Sequence, residues 1–539
     1  MDRVSMSDDP RSREPRPPAN RAAAARDALG RAHLGKPSLG RITAQSGAGA
    51  GRRAQVAIAV FVALGVGLAY SYGVAPTAST SAAVAVPKAT PVRNATVVCP
   101  EVTGPADATV NAITPTTTSA PAVGDTATLT ALGSKTPMAT LKQQGTLSVN
   151  KGLSGSANLT QDSIPIIGQA GGAYAPGFTV TETLNNVNVS GLRGIASTPC
   201  TAPDTDFWFL GPDPTAGTKS VAKLNLFDSD QLAAQVNLSV YNDGGLINTV
   251  NAQNVGQGQL VPSGTQHNPI DLSSFSTEGT PIAVHVTATA SRVSAALLDS
   301  EANAGRDFVL AQKLSAHLLL PGVPAPSAKP ASAMKLQLIL LAPHNDADVT
   351  LHWIGHSKIT PTVTVPHLIP DRVTTVDFSN VPATGEAGAL QIDSNTGTPI
   401  LAELKVTGEG GSDTAYISPV QALAGESLVA DNTAGSVVEL TNNAAKDAQV
   451  QVTAEGAGAP SPQTVTVPAQ TTKTVTLQAP KGAADFAVSV EPLDRATGVY
   501  AARVMTAAGG MITIQPMSTA LETVQIPAVR SDLSGTVPQ

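Results

Sequence analysis

Aromatic side chains are scarce in this chain of 539 residues, with Phe, Tyr and Trp together making up 3%. Charge is scarce too, at 14% Asp, Glu, Lys and Arg against roughly 25% in ordinary soluble domains. Two cysteines exclude a multi-cysteine zinc module and a disulfide-dense scaffold. The net charge of -7 excludes the basic domain that a nucleic-acid partner would need. Nucleophile signatures are missing: in Gly152-Leu-Ser154-Gly155 the second glycine comes one residue too early for a nucleophile elbow. Gly30 to Gly35-Lys36 approaches a phosphate-binding loop, but Pro37 stands where the hydroxyl must be and no strand precedes it. No cofactor-binding pattern emerges, and no catalytic residue is assigned.

What is present begins with a polarity. Residues 1–53 carry eleven Lys or Arg and five acids, a balance of +6, so the remainder carries -13. Ala54–Ala75 contains no charged residue, and about 20 such residues span a hydrocarbon core roughly 30 Å thick. Arg52 and Arg53 flank its N-terminal edge, the orienting charges of a span whose N-terminus is cytoplasmic and whose bulk is extracytoplasmic. A single-pass anchor in the plasma membrane, with lipid as its first partner, is therefore expected. The 53-residue leader is long for a cleavable signal peptide. Its Arg-, Ala- and Pro-rich texture reads as a disordered tail, and residues 76–93 as an Ala/Thr/Pro stalk.

Past Asn94 the texture changes to short alternating runs broken by Gly, Pro, Asn and Asp, the pattern of an all-β ectodomain. A period of about 100 residues appears when like segments are stacked. Asp206-Phe-Trp-Phe, Asp307-Phe-Val-Leu and Asp413-Thr-Ala-Tyr are 101 and 106 residues apart, and Met511-Ile-Thr-Ile follows 98 later. Val-Pro steps recur at Val261-Pro262, Val365-Pro366 and Val467-Pro468. About seven short strands per 100 residues predicts tandem immunoglobulin-like β-sandwiches at 206–306, 307–412 and 413–520, with a C-terminal tail at 521–539.

Residues 94–205 read as a separate β region bounded by Cys99 and Cys200, which are expected to form a disulfide in an oxidising compartment. The best metal-like constellation is His344, His352, His356 and His367 with Asp346 and Asp348. Zinc would require three or four of these to converge, and ordinary surface histidines are the favoured reading, so no metal is assigned. Asp228/Asp230 and Asp346/Asp348 fit turn chemistry, with calcium as the sharper alternative. Trp208 and Trp353 are expected in sandwich cores rather than on a carbohydrate-binding face. The sequons at Asn94, Asn158, Asn188 and Asn237 read as coincidental.

The layout resembles an actinobacterial family of unknown function labelled as membrane or secreted protein. The resemblance rests on the basic leader with one span, Val98-Cys99-Pro100, Gly191-Leu-Arg-Gly194 with Thr198-Pro-Cys200, the aromatic strand Asp206–Phe209, and Arg292–Ser300 (RVSAALLDS). It implies a cell-envelope setting, often encoded near a family-2 glycosyltransferase, and assigns no activity. The expected function is a non-enzymatic, anchored scaffold or binding protein of the envelope, partnered by a glycosyltransferase or a cell-wall polymer. The alternative is an exported enzyme or metal-dependent carbohydrate-binding protein using the His/Asp loops of the second predicted sandwich.

Overall fold

The alternation seen in the sequence sets which side chains are buried. In Ala448–Glu455 (AQVQVTAE), Val450, Val452 and Ala454 point inward while Gln449 is exposed, as a strand with one covered face requires. Each such Val or Leu contributes roughly 1.5–3 kcal/mol on burial. The computed structural model describes residues 88–526, leaving aside 102–106, 116–120, 144–152, 161–163, 186–192, 215–219, 248–255, 277–279, 302–303, 326–333, 357–362, 366, 380–385, 434, 457–459, 484 and 495–497. The leader, Arg52, Arg53 and Ala54–Ala75 lie outside the described residues. Among the described residues no helix is long and apolar enough to cross a membrane.

The C-terminal module shows the plan. Its eight strands are Ser427–Thr433, Val437–Asn442, Ala448–Glu455, Ser461–Val467, Thr471–Thr476, Asp485–Pro492, Val499–Ala507 and Met511–Met517. They form two antiparallel sheets, ordered first–sixth–third–fourth and fifth–second–seventh–eighth. The same order recurs over His317–Ile417 and over Asp206–Val309, where two short segments share the fourth position. It also recurs over Asn94–Pro199, with Lys142–Gln143 added at one sheet edge. The Cys-bounded region is thus a sandwich with the topology of the other three. Its cysteines are joined by a disulfide. Closing a loop of 101 residues contributes about 4.7 kcal/mol in the chain-entropy model.

The boundaries differ from the sequence expectation by one strand. Gly305–Val309 and Thr414–Ile417 each pair with the seventh strand before them, so they close modules rather than open them, and Met511–Met517 closes the last module inside its expected bounds of 413–520. Asp206–Leu210 pairs instead with Ala283–Thr289 and does open one. The physical reason is burial. All four strands are covered on both faces, and such strands read as unbroken apolar runs whatever their place in a sheet.

Each module has its own core, built around Val110 and Leu184, Leu224 and Leu238, Leu338 and Leu404, and Val438 and Val450. Smaller clusters join neighbours in a closed circuit. Leu298 and Phe308 of module 2 pack into the module 1 core. Trp208 and Tyr241 meet Ile339 and Leu401 between modules 2 and 3. Ile354 meets Tyr500 between modules 3 and 4. Leu428 meets Ile113 between modules 4 and 1. The ends are clasped as well, since Lys88–Pro91 pairs antiparallel with Thr523–Ile526.

The four closing strands meet at the centre of this circuit, each packed against two others. Asp413, just before the third, is fully buried. Its Oδ2 accepts the N–H of Ile195 from module 1 at 3.1 Å and that of Ile512 from module 4 at 3.0 Å. Oδ1 accepts its neighbour Thr414 N–H at 3.0 Å, and Arg306 N–H of module 2 bonds the same carboxylate. One side chain therefore takes a backbone donor from every module. Space for it requires Gly305 (φ +98°), where a Cβ would overlap the carboxylate, and Gly194, where a Cβ would lie 2.6 Å from Oδ1. Arg503, also fully buried, donates to Ser197 Oγ at 2.5 Å and Gln515 Oε1 at 2.7 Å, tying module 4 to module 1.

Replacing Asp413 by Ala leaves these buried donors without their acceptor, a loss expected to cost about 3 kcal/mol or more. Chemical denaturation is expected to show a lowered midpoint for Asp413→Ala and a smaller drop for Asp413→Asn, which keeps one acceptor oxygen. Equal midpoints for all three chains would show that the carboxylate does not hold the modules together.

Candidate functional site

The histidines singled out in the sequence do not converge. His367 lies beside both acids of its turn, with Nδ1 2.9 Å from Asp348 Oδ1 and Nε2 3.5 Å from Asp346 Oδ2. The hydrogen bond to Asp348 holds its pKa above the ordinary histidine value. His352 faces Asp393 at 3.8 Å and shares it with His317, which is 2.8 Å away. His344 occupies a turn at φ +77°, its N–H donating to Asp371 Oδ1. His356 bonds Thr474 of the next module. Each of the four has a different partner, so the metal-like constellation, disfavoured in the sequence, is not brought together.

Turn chemistry accounts for the first aspartate pair. Asp228 accepts the N–H groups of Asp230 and Ala234, and Asp230 takes both forks of Arg292 at 2.9 Å. The tryptophans are interior, each 3% exposed. Trp208 lies between His285, stacked at 3.8 Å, and Tyr241 at 5.6 Å, while Trp353 packs against Phe378.

His356 leads to a cavity at the junction of modules 3 and 4. Its volume is about 290 Å³, and His356, Pro468, Thr471, Thr472, Lys473 and Thr474 line it. The junction is fastened by backbone: Thr472 donates its N–H to Gly355 O at 2.8 Å and its Oγ1–H to Ile354 O at 2.7 Å. Thr474 follows on the same face of its strand and lies between two titratable groups. Its hydroxyl is 2.9 and 3.0 Å from the two oxygens of Glu439, and 3.1 Å from His356 Nε2. With one proton to give, it donates to Glu439 and accepts from His356. Burial raises the Glu439 pKa, although the Thr474 bond opposes that. Nucleophilic catalysis requires the imidazole between hydroxyl and carboxylate; here the hydroxyl is in the middle. The other lining groups are held as well: Thr471 Oγ1 donates to Pro468 O and Lys473 Nζ to Thr466 O, so the junction is polar and its donors have partners within the protein.

A second cluster, where modules 2 and 3 meet, was not found from the sequence. Along Leu401–Thr407, Ala402, Leu404 and Val406 enter the module 3 core, leaving Glu403 and Lys405 on the opposite face. Lys405 Nζ is 2.8 Å from Asp213 Oδ1 and touches Glu301 Oε1. Asp299 accepts from Tyr416 Oη at 2.6 Å. Asp213, Asp299 and Glu301 are the one group of acids among the described residues with the spacing of metal ligands, and Lys405 supplies its cation. Burial pulls the Lys405 ammonium down, but Asp213, Asp299 and Glu301 together hold it above the ordinary lysine value. Burial pushes Asp213 up to about 7. The available signal was Glu403-Leu-Lys405, charges at alternate positions inside an apolar strand.

These features define a class: a closed assembly of four β-sandwiches around a buried polar centre, with a cavity at one module junction and a buried charge cluster at another. The chain belongs to DUF5719, a family of unknown function, whose model matches residues 154–478 and so runs from the fifth strand of module 1 into module 4. No curated protein and no solved structure matches it.

One buried acid stands apart. Glu182 points inward between Val180 and Leu184 in module 1, 0% exposed, and neither carboxyl oxygen has a hydrogen-bond partner among the described residues. Burial pushes its pKa well above the ordinary value, so the folded chain keeps a proton that the unfolded chain releases above about pH 4.5. Stability from this group is complete below that pH and declines as pH rises toward the folded pKa. Denaturation midpoints are expected to fall from pH 5 to 8 in the wild type and less steeply in Glu182→Leu. Parallel slopes would show that Glu182 carries no folded-state proton.

Proposed function

We propose that this protein is a non-enzymatic, membrane-anchored scaffold or binding protein of the cell envelope. In this reading Arg52 and Arg53 keep the N-terminus cytoplasmic, Ala54–Ala75 crosses the plasma membrane as a signal anchor, and the sandwiches stand outside. The observation that carries it is the clasp. The strand Lys88–Pro91, which falls inside the segment expected to be a stalk, pairs with the last described strand, Thr523–Ile526, inside the expected C-terminal tail. A circuit closed at its own point of entry hangs from one tether without leaving a module end open. The disulfide supports an oxidising, extracytoplasmic setting. The surface offered to a cell-wall polymer or an envelope glycosyltransferase is the hydroxyl-lined junction beside His356. The metal-dependent alternative loses support because His344, His352, His356 and His367 have separate partners.

Membrane fractionation with protease treatment of intact cells, followed by crosslinking of the full chain, tests this reading. The protein is expected to resist alkaline extraction, to be cut from outside, and to recover a glycosyltransferase or wall polymer. Recovery in the soluble cytoplasmic fraction would overturn it.

A further inference from the structure

The cluster around Lys405 holds the reactants for a covalent step. Lys405 comes from the seventh strand of module 3, and Asp213 from the connection between the first and second strands of module 2. Lys405 is 6% exposed, and its Nζ is 5.9 Å from the centre of the buried Tyr416 ring. The amine is therefore held against one carboxyl at 2.8 Å, with a second, Glu301, in contact with the same nitrogen. Asp299 is fixed nearby by the Tyr416 and Ser220 hydroxyls. Reacting groups fixed at contact distance have effective concentrations far above those of free molecules. A buried ion pair also carries a desolvation cost that a neutral product would not.

We propose that Lys405 and Asp213 are joined by an intramolecular amide bond between Nζ and Cγ. The step needs no oxidant and no cofactor. Glu301 takes a proton from the Lys405 ammonium, and the amine nitrogen attacks Cγ of Asp213. The C–N bond forms as one C–O bond of the carboxyl breaks. The departing oxygen carries off two protons, one returned by Glu301 and one from the nitrogen, and leaves as water. An ammonium and a carboxylate thus become a secondary amide plus one water. The rise of Asp213 to about 7 by burial favours placing those protons on its carboxyl oxygen. The bond staples module 2 to module 3 independently of the packing between them.

Mass spectrometry of a proteolytic digest of the full, purified chain tests this directly. The expected product is a linked peptide containing Asp213 and Lys405, one water lighter than the sum of its two parts. Glu301→Gln and Asp213→Ala are expected to yield the two peptides separately, with circular dichroism reporting whether each variant has folded. The wild-type measurement decides the matter even if both variants misfold. Two unlinked wild-type peptides at their own masses would overturn the proposal. So would a water deficit that persists in Asp213→Ala.

Discussion

Four backbone N–H groups, one from each module, end on the carboxylate of Asp413. Backbone donors that deep must be satisfied, and here a carboxylate does it. A single acid with two oxygens and several lone pairs solves the problem for four strands at once. Much follows from that choice. The strands must arrive together, so the modules must form a circuit, and glycine must stand at 194 and 305 where a Cβ would displace the carboxylate. The terminal clasp between Lys88–Pro91 and Thr523–Ile526 completes at the rim what Asp413 does at the centre.

The modules need this arrangement because each is modestly equipped alone. Their cores are Val, Leu and Ala with few aromatic rings, so the apolar area per side chain is limited. The junctions add burial that an isolated sandwich would lack. The same junctions hold the polar chemistry: Lys405 with three carboxylates between modules 2 and 3, and His356, Thr474 and Glu439 between modules 3 and 4. Low overall charge thus conceals a concentration of buried charge where modules meet.

The mainly β class and the repeat length were legible because one-sided strands alternate, as Ala234–Asn242 and Ala448–Glu455 do. The module boundaries were not, because strands covered on both faces look alike whether they open or close a sheet, and Asp206-Phe-Trp-Phe resembles Asp307-Phe-Val-Leu for that reason alone. The first module escaped recognition as a copy because its strands are rich in Thr, Ser and Gly, as in Leu153–Thr160. The cysteine pair was legible from its number and the expected oxidising compartment. The junction sites were not, since Asp213, Glu301 and Lys405 are brought together from two modules and no local motif links them. Asp413 stood in plain view as the start of a repeat, but its role depends on three partners far away in sequence.

The modules form one closed unit rather than a string of independent domains. Differential scanning calorimetry of the full chain tests it most directly. A closed unit predicts a single transition over residues 88–526, with equal calorimetric and van't Hoff enthalpies. Separate transitions for individual sandwiches would contradict it.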